Sequence, residues 1–338
     1  MLKSMLYLLA GCALLVLPAA AQTDLPSITD DSFAAAAAYS DATGGDAVLV
    51  VQNGDILYEQ YTAPYTADEP HLLASGTKSF SCAIAVAAIQ DGYLTDFDQP
   101  AADWITEFAD DPQKSQITVR QLLDLSSGIE VQGFDRMFRT RADAYQDAIE
   151  TGQAAEPGAQ FEYGASHYFV FGDVINRALA GSEYANVLDY LTRRILQPIG
   201  LDDIRWVIDR AGNPQLAGGA FTSARGWALY GQLILQNGEW EGDQILDPAL
   251  LAQCFVPSAN NPGYGLTWWL SYPSVEYATR LNLDMGDGIV QAYVAAGAGN
   301  QRLYVIPSLE MVIVRLARQD RSWNDQTFIE TLFGQITL

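Results

Sequence analysis

"HLLASGTKSF", residues 71–80, decides how this chain is read. Ser75 and Lys78 stand three apart, in a Ser-x-x-Lys spacing. Residues three apart on a helix share a face, so the hydroxyl and the amine can meet. Two readings compete. In one, Ser75 is a nucleophile and Lys78 its proton acceptor. In the other, Ser75 caps a helix and Lys78 lies on the surface. The surroundings favour the first. The run Ser79–Gln90 is apolar almost all round, through Phe80, Ile84, Val86 and Ile89, and stops at Asp91-Gly92. That is the pattern of a buried helix. Lys78 would then be desolvated, which lowers a lysine pKa and makes the neutral amine accessible. Beyond residue 21 the chain keeps only Lys78 and Lys114, against fifteen arginines. Arginine cannot give up its proton and lysine can, so lysine stands where a base is needed. Ser75, at the helix start, would also feel the positive end of the helix dipole.

Composition narrows the classes. The chain has 338 residues and a net charge of −23. Such acidity argues against nucleic acid and anionic membrane surfaces as partners. With 49% hydrophobic residues, the charge does not imply disorder. Residues 1–21 read as an export signal. Lys3 gives the charged start, Met5 to Leu17 the apolar run, and Ala19-Ala20-Ala21 the cleavage site before Gln22. The expected location is secreted or periplasmic. Leu9-Ala10-Gly11-Cys12 resembles a lipid-attachment box, but the run before Cys12 is short and Ala13 to Ala21 stays apolar. No later segment has the length and apolarity of a membrane span. Two histidines, His71 and His167, make no metal-ligand cluster, so neither metal nor cofactor is expected. Cys82 lies in the apolar helical run. Two buried free thiols, Cys82 and Cys254, are favoured over a disulfide.

Ala47–Val51 and Ile56–Gln60 flank Asn53-Gly54 and read as a hairpin. Arg302–Ile306 and Met311–Leu316 are two more strands, and a helix is expected from Asp325 to Leu338. Ala34–Ala38 suggests a short helix. The middle has helical patterns at Ile117–Leu125, Tyr168–Ala180 and Tyr184–Leu196. Strands at both ends with helices between predict an α/β domain from residues 22–79 and 206–338, with a helical domain at 80–205.

Other serine chemistry fails on inspection. No Gly-x-Ser-x-Gly is present, so the sharp nucleophile turn it marks is missing. A Ser-His-Asp triad would need His71 or His167 as base, and either reads more simply as a hydrogen-bonded histidine.

The stretches "HLLASGTKSF", "AIQDGYLTDFDQPAADWI" and "ITVRQLLDLSSGI" resemble the serine β-lactamase-related family. That family includes class C β-lactamases, D-alanyl-D-alanine carboxypeptidases, lactamase-like esterases and 6-aminohexanoate-oligomer hydrolases. The likeness continues through "EPGAQFEYGASHYFVFGDVI" (156–175), "GGAFTSARGWALYGQLIL" (218–235), "YGLTWWL" (264–270) and "AAGAGNQRLYVIPSLEMVIVRL" (295–316). The resemblance implies an antiparallel sheet flanked by helices, with the site between sheet and helical insertion. It implies Ser75 as acylated nucleophile, Lys78 as its base partner and Tyr163 as the tyrosine of a Tyr-x-Asn motif. Lys78 and Tyr163 would titrate as a pair. Backbone amides of Ser75 and Ala298 would form the oxyanion hole.

The sequence departs from that family twice. Ala165 stands where the second motif has asparagine, and Ala295 where the third has Lys, His or Trp before x-Gly. Neither methyl can hold a substrate amide or carboxylate. Arg302 would replace the missing charge if it faced the cleft. His167, Gly297 and Arg302 are candidate substrate-binding residues. Tyr264, Trp268 and Trp269 read equally as pocket or core. The expected activity is esterase-like hydrolysis of a small ester or amide through a Ser75 acyl-enzyme. The alternatives are a β-lactamase or D,D-carboxypeptidase, and a relative that binds without turnover.

Overall fold

The computed structural model describes residues 29–131, 142–271, 292–318, 320 and 322–333. The expected export signal lies outside them. Helix α1 (Asp30–Ala42) opens on a capping box between Thr29 and Ser32 and extends well past the run Ala34–Ala38. The expected hairpin follows as β1 (Gly45–Gln52) and β2 (Asp55–Tyr61). Asn53 and Gly54 turn it with φ of 52° and 87°, the positive values that an Asn-Gly turn supplies.

Strand β3 (His71–Leu72) pairs with β5 (Ala220–Thr222), which also pairs with β4 (Arg205–Trp206). Strands β6 (Glu239–Trp240) and β7 (Asp243–Gln244) make a separate ribbon. The main sheet is completed by β8 (Trp269–Ser271), β9 (Ala292–Gly297), β10 (Gln301–Ile306) and β11 (Met311–Ala317). Its order is β2-β1-β11-β10-β9-β8, and every neighbouring pair is antiparallel. Both chain ends therefore build one sheet, as the strand pattern predicts.

Strand alternation sorts the sheet into two faces. Leu49, Ala295, Leu303, Val305 and Val314 face a large core shared with the middle of the chain. Val50, Val294, Tyr304 and Ile313 face a smaller core closed by α1 and the C-terminal helix.

Helix α2 (Ser79–Gln90) has the predicted limits and is buried from Ser79 to Ala88. Thr118 and Gln121 form the capping box of α3 (Val119–Leu123). Helices α4 (Ala144–Glu150) and α5 (Ser166–Ala178) follow. The pattern at Tyr184–Leu196 resolves into α6 (Val187–Leu191), capped by Asn186, and a wider turn at Thr192–Leu196. Ser223 caps α7 (Ala224–Leu235), Asp247 caps α8 (Pro248–Ala252), and α9 spans Asp325–Phe333. The expected boundary near 79 falls at the first turn of α2, and that near 205 within β4.

One expectation is corrected. Cys82 and Cys254 form a disulfide rather than two thiols, with Cα atoms 6.1 Å apart. Apolar burial suits a cystine as well as a thiol, and only the fold brings α2 against the turn that follows α8. The bond spans 172 residues of sequence. Closing so long a loop restricts the unfolded chain, an effect worth roughly 2–4 kcal/mol.

Candidate active site

Ser75 and Lys78 lie on a 3-10 turn, Ala74–Lys78, that runs directly into α2. Side chains three apart eclipse on such a turn. The Lys78 Nζ lies 3.2 Å from Ser75 Oγ and also donates to the Ala217 carbonyl. Lys78 is 1% exposed, whereas Ser75 is half-buried and stays open to a reactant. Burial pulls the Lys78 amine down from 10.5 to about 7. At neutral pH much of it is therefore uncharged. A neutral amine has two hydrogens and one lone pair. It can donate one hydrogen to Ala217 and turn its lone pair to the Ser75 hydroxyl, which is the geometry of a general base.

The residue before the nucleophile is bent. Ala74 has φ of 47°, a left-handed conformation that costs an ordinary side chain energy. Such outliers cluster at functional sites, where the surrounding fold holds them. Here the Gly76 amide donates to the Leu73 carbonyl and Leu73 donates to Ala220, pinning both sides of the bend.

Tyr163 joins this pair. Its ring centre is 5.0 Å from Lys78 Nζ, and that of Tyr168 is 5.4 Å away. The Tyr163 ring stacks on Trp269 at 5.8 Å, with Phe161 at 6.5 Å. Tyr163 and Trp269 are half-buried, while Tyr264 and Trp268 are core residues. Tyr168 and Tyr264 share a 2.9 Å hydroxyl contact, and burial pushes both phenols well above their ordinary range. They stay neutral.

Gly297 ends β9 against the nucleophile turn. A Cβ there would lie 2.0 Å from the Leu73 carbonyl oxygen and 3.1 Å from the Gly76 nitrogen. Only glycine allows this approach. Ala298 follows Gly297 directly and is exposed at the next turn.

Two candidate substrate-binding residues are placed elsewhere. His167 is fully buried, with Nδ1 2.8 Å from Ser127 Oγ and Nε2 2.9 Å from the Glu162 carbonyl. A carbonyl only accepts, so Nε2 carries the proton and Nδ1 accepts from Ser127. Desolvation, aided by the nearby Lys78 charge, holds this imidazole at about 4. It is a neutral structural histidine. Arg302 points to the opposite face of the sheet, where Nε and Nη2 bind the Asp325 carboxylate at 2.6 and 2.9 Å. It brings no charge to the cleft. Ala165 and Ala295 are buried at 3% and 2% exposure, so the two departures from the motifs are methyl groups in the core.

Sequence reasoning missed the Ala217 carbonyl and Tyr168. A backbone acceptor leaves no trace in residue identity. Tyr168 sits in a helical run whose burial alone explains it.

A family model described as Beta-lactamase matches residues 31–329. The 6-aminohexanoate-dimer hydrolase of Paenarthrobacter ureafaciens is 27% identical over 301 residues, covering 83% of this chain and 73% of that protein. A putative 6-aminohexanoate-dimer hydrolase from Bacillus anthracis has a similar fold, with TM-score 0.72 and 24% identity over 88% of this chain and 80% of that one. A putative β-lactamase from Bacteroides dorei DSM 17855 gives TM-score 0.73 and 18% identity, over 90% of this chain and 98% of that one.

Proposed function

The chain belongs to the Beta-lactamase family and is a serine hydrolase acting on amide or ester bonds, and from that premise we propose that it is an esterase-like enzyme for small uncharged substrates. The observation that carries this reading is the 3.2 Å contact between a buried Lys78 amine and Ser75 Oγ, in a site where Ala165 and Ala295 replace polar side chains.

The steps follow from the groups present. Lys78 takes the Ser75 proton as Oγ attacks the substrate carbonyl carbon. The backbone amides of Ser75 and Ala298 receive the developing oxyanion. The tetrahedral adduct collapses when the leaving group departs. Lys78 and Tyr163 together return the proton to it. Water then attacks the acyl-Ser75 ester, giving up a proton to the same pair; as the adduct collapses, the Ser75 Oγ–carbonyl bond breaks, the pair returns that proton to Ser75 Oγ, and the acid is released. An ester needs less help at the leaving group than an amide. The likeness to a protein named for an amide dimer keeps small linear amides within range.

Among the described residues, the buried Lys78 is the one cationic side chain placed at this site, and it is committed to Ser75 and the Ala217 carbonyl; the chain is strongly acidic. Hydrolysis of p-nitrophenyl butyrate should therefore exceed that of the p-nitrophenyl monoester of succinate by about tenfold or more in kcat/KM. Equal or reversed values would overturn the reading, and rapid turnover of a penicillin would replace it with a β-lactamase.

We also propose that the enzyme is exported. The signal-like residues 1–21 support this, and so does the disulfide, which persists in oxidising compartments. The intact mass of protein recovered from the periplasm or medium should fit a chain starting at Gln22 with the disulfide closed. A mass that retains Met1 would sink the proposal.

A further inference from the structure

A buried polar cluster lies behind the site, and the chemistry above does not use it. Arg302 and Arg315 are directly opposite each other on β10 and β11, 5% and 0% exposed. Like charges paired across strands repel. Asp325 binds Arg302, while Arg315 is held by Ser40 Oγ at 2.9 Å, the Thr43 carbonyl at 2.9 Å and the Trp323 ring, 3.6 Å away. Apolar residues would fill this space at less cost, since buried charges lose their hydration.

The remaining donors converge on one turn. Arg302 Nη1 reaches the Gly297 carbonyl at 3.4 Å and the Gln301 carbonyl at 2.9 Å. Arg315 Nη1 donates to the Asn300 carbonyl at 2.9 Å, and Gln301 Nε2 approaches the Ala298 carbonyl at 3.4 Å. Residues 297, 298, 300 and 301 thus all have their carbonyls held by buried side chains. The Gly297 carbonyl matters most, because it shares a planar peptide unit with the Ala298 N–H. In a trans peptide the two groups point in opposite directions. Whatever grips the oxygen sets where the N–H points. A cation on the oxygen also polarises the unit and makes the N–H a stronger donor.

We infer that Arg302 is a positioning residue of the oxyanion hole: clamped by Asp325, its guanidinium fixes the Gly297–Ala298 peptide from behind and aims the Ala298 N–H at the reacting carbonyl oxygen. Gln301 and Arg315 hold the flanking carbonyls. Arg302 thereby serves the cleft through the backbone, without touching substrate. The inference rests on the oxyanion role proposed for Ala298.

The test compares wild type, Arg302→Lys and the paired variant Arg302→Met/Asp325→Asn, which removes both partners of the buried ion pair together. Rates are taken with p-nitrophenyl butyrate per active site, counted by fluorophosphonate labelling. Binding of phenylboronic acid, which forms a tetrahedral anion on the serine, is measured alongside. The paired variant should lose about tenfold to a hundredfold in kcat, with boronate affinity falling by a similar factor and KM changing less than about twofold. Arg302→Lys keeps a cation beside Asp325 but not the fork that reaches two carbonyls, so its loss should be about tenfold. If the paired variant does not fold, Arg302→Lys decides alone. A lower melting temperature with unchanged kcat per site and unchanged boronate affinity would make Arg302 purely structural and overturn the inference. Ser75→Ala run in parallel separates the two levels. If it keeps full activity, the site reading itself fails, whatever the Arg302 variants do.

Discussion

Ser75→Ala should reduce p-nitrophenyl butyrate hydrolysis by at least about a thousandfold, with the melting temperature changed by no more than a few degrees. Removing the nucleophile takes away the covalent route, and what remains is the modest help of binding and the oxyanion hole. Ser75 is half-buried and its Oγ contacts Lys78, so the substitution removes one hydroxyl and little packing. Steady-state rates and thermal melts of both proteins check this. Wild-type rates in Ser75→Ala would leave the Lys78 contact without a catalytic meaning.

Lys78→Arg should be nearly as damaging, with a loss of about a hundredfold to ten-thousandfold, the usual span for a lost general base. Arginine keeps the charge but cannot shed its proton, and its planar head does not fit a pocket shaped for one amine beside the Ala217 carbonyl. The pH profile gives the sign. With its amine at about 7, Lys78 is an ammonium below that pH and has no lone pair for the Ser75 proton. The wild-type kcat/KM should rise with pH through about 7 and flatten above it. A flat profile from pH 5 to 9 would contradict the base role. Burial of this amine also acts on stability. Between about 7 and its ordinary 10.5, the unfolded chain holds the proton that the folded one has lost. Stability contributed by this group therefore rises with pH across that window, and its penalty is fully present below it.

Much of the site was legible before any coordinates. The limits of α2, the burial of Lys78 and the Asn53-Gly54 hairpin all follow from apolar periodicity and turn chemistry, which are local. The parts that failed depend on the third dimension. The Cys82–Cys254 bond depends on a packing contact between distant segments. Arg302 is a candidate for substrate binding on condition that it faces the cleft, and strand parity argues against that. It alternates with Leu303 and Val305, which face the large core, and so belongs with Tyr304 on the other side. His167 could not be placed from sequence, because its partners are a serine forty residues away and a main-chain carbonyl. The bend at Ala74 was equally silent, since alanine gives no sign of positive φ.

The central claim is that Ser75 forms a covalent acyl-enzyme with Lys78 as its base. It is tested most directly by mixing the enzyme with a slowly released p-nitrophenyl ester, quenching in acid and mapping the adduct by peptide mass spectrometry. The account predicts one acyl group on the peptide that contains Ser75, accumulating faster at pH 8 than at pH 6. An acyl group on another residue, or turnover with no adduct on Ser75 at any pH, would contradict it.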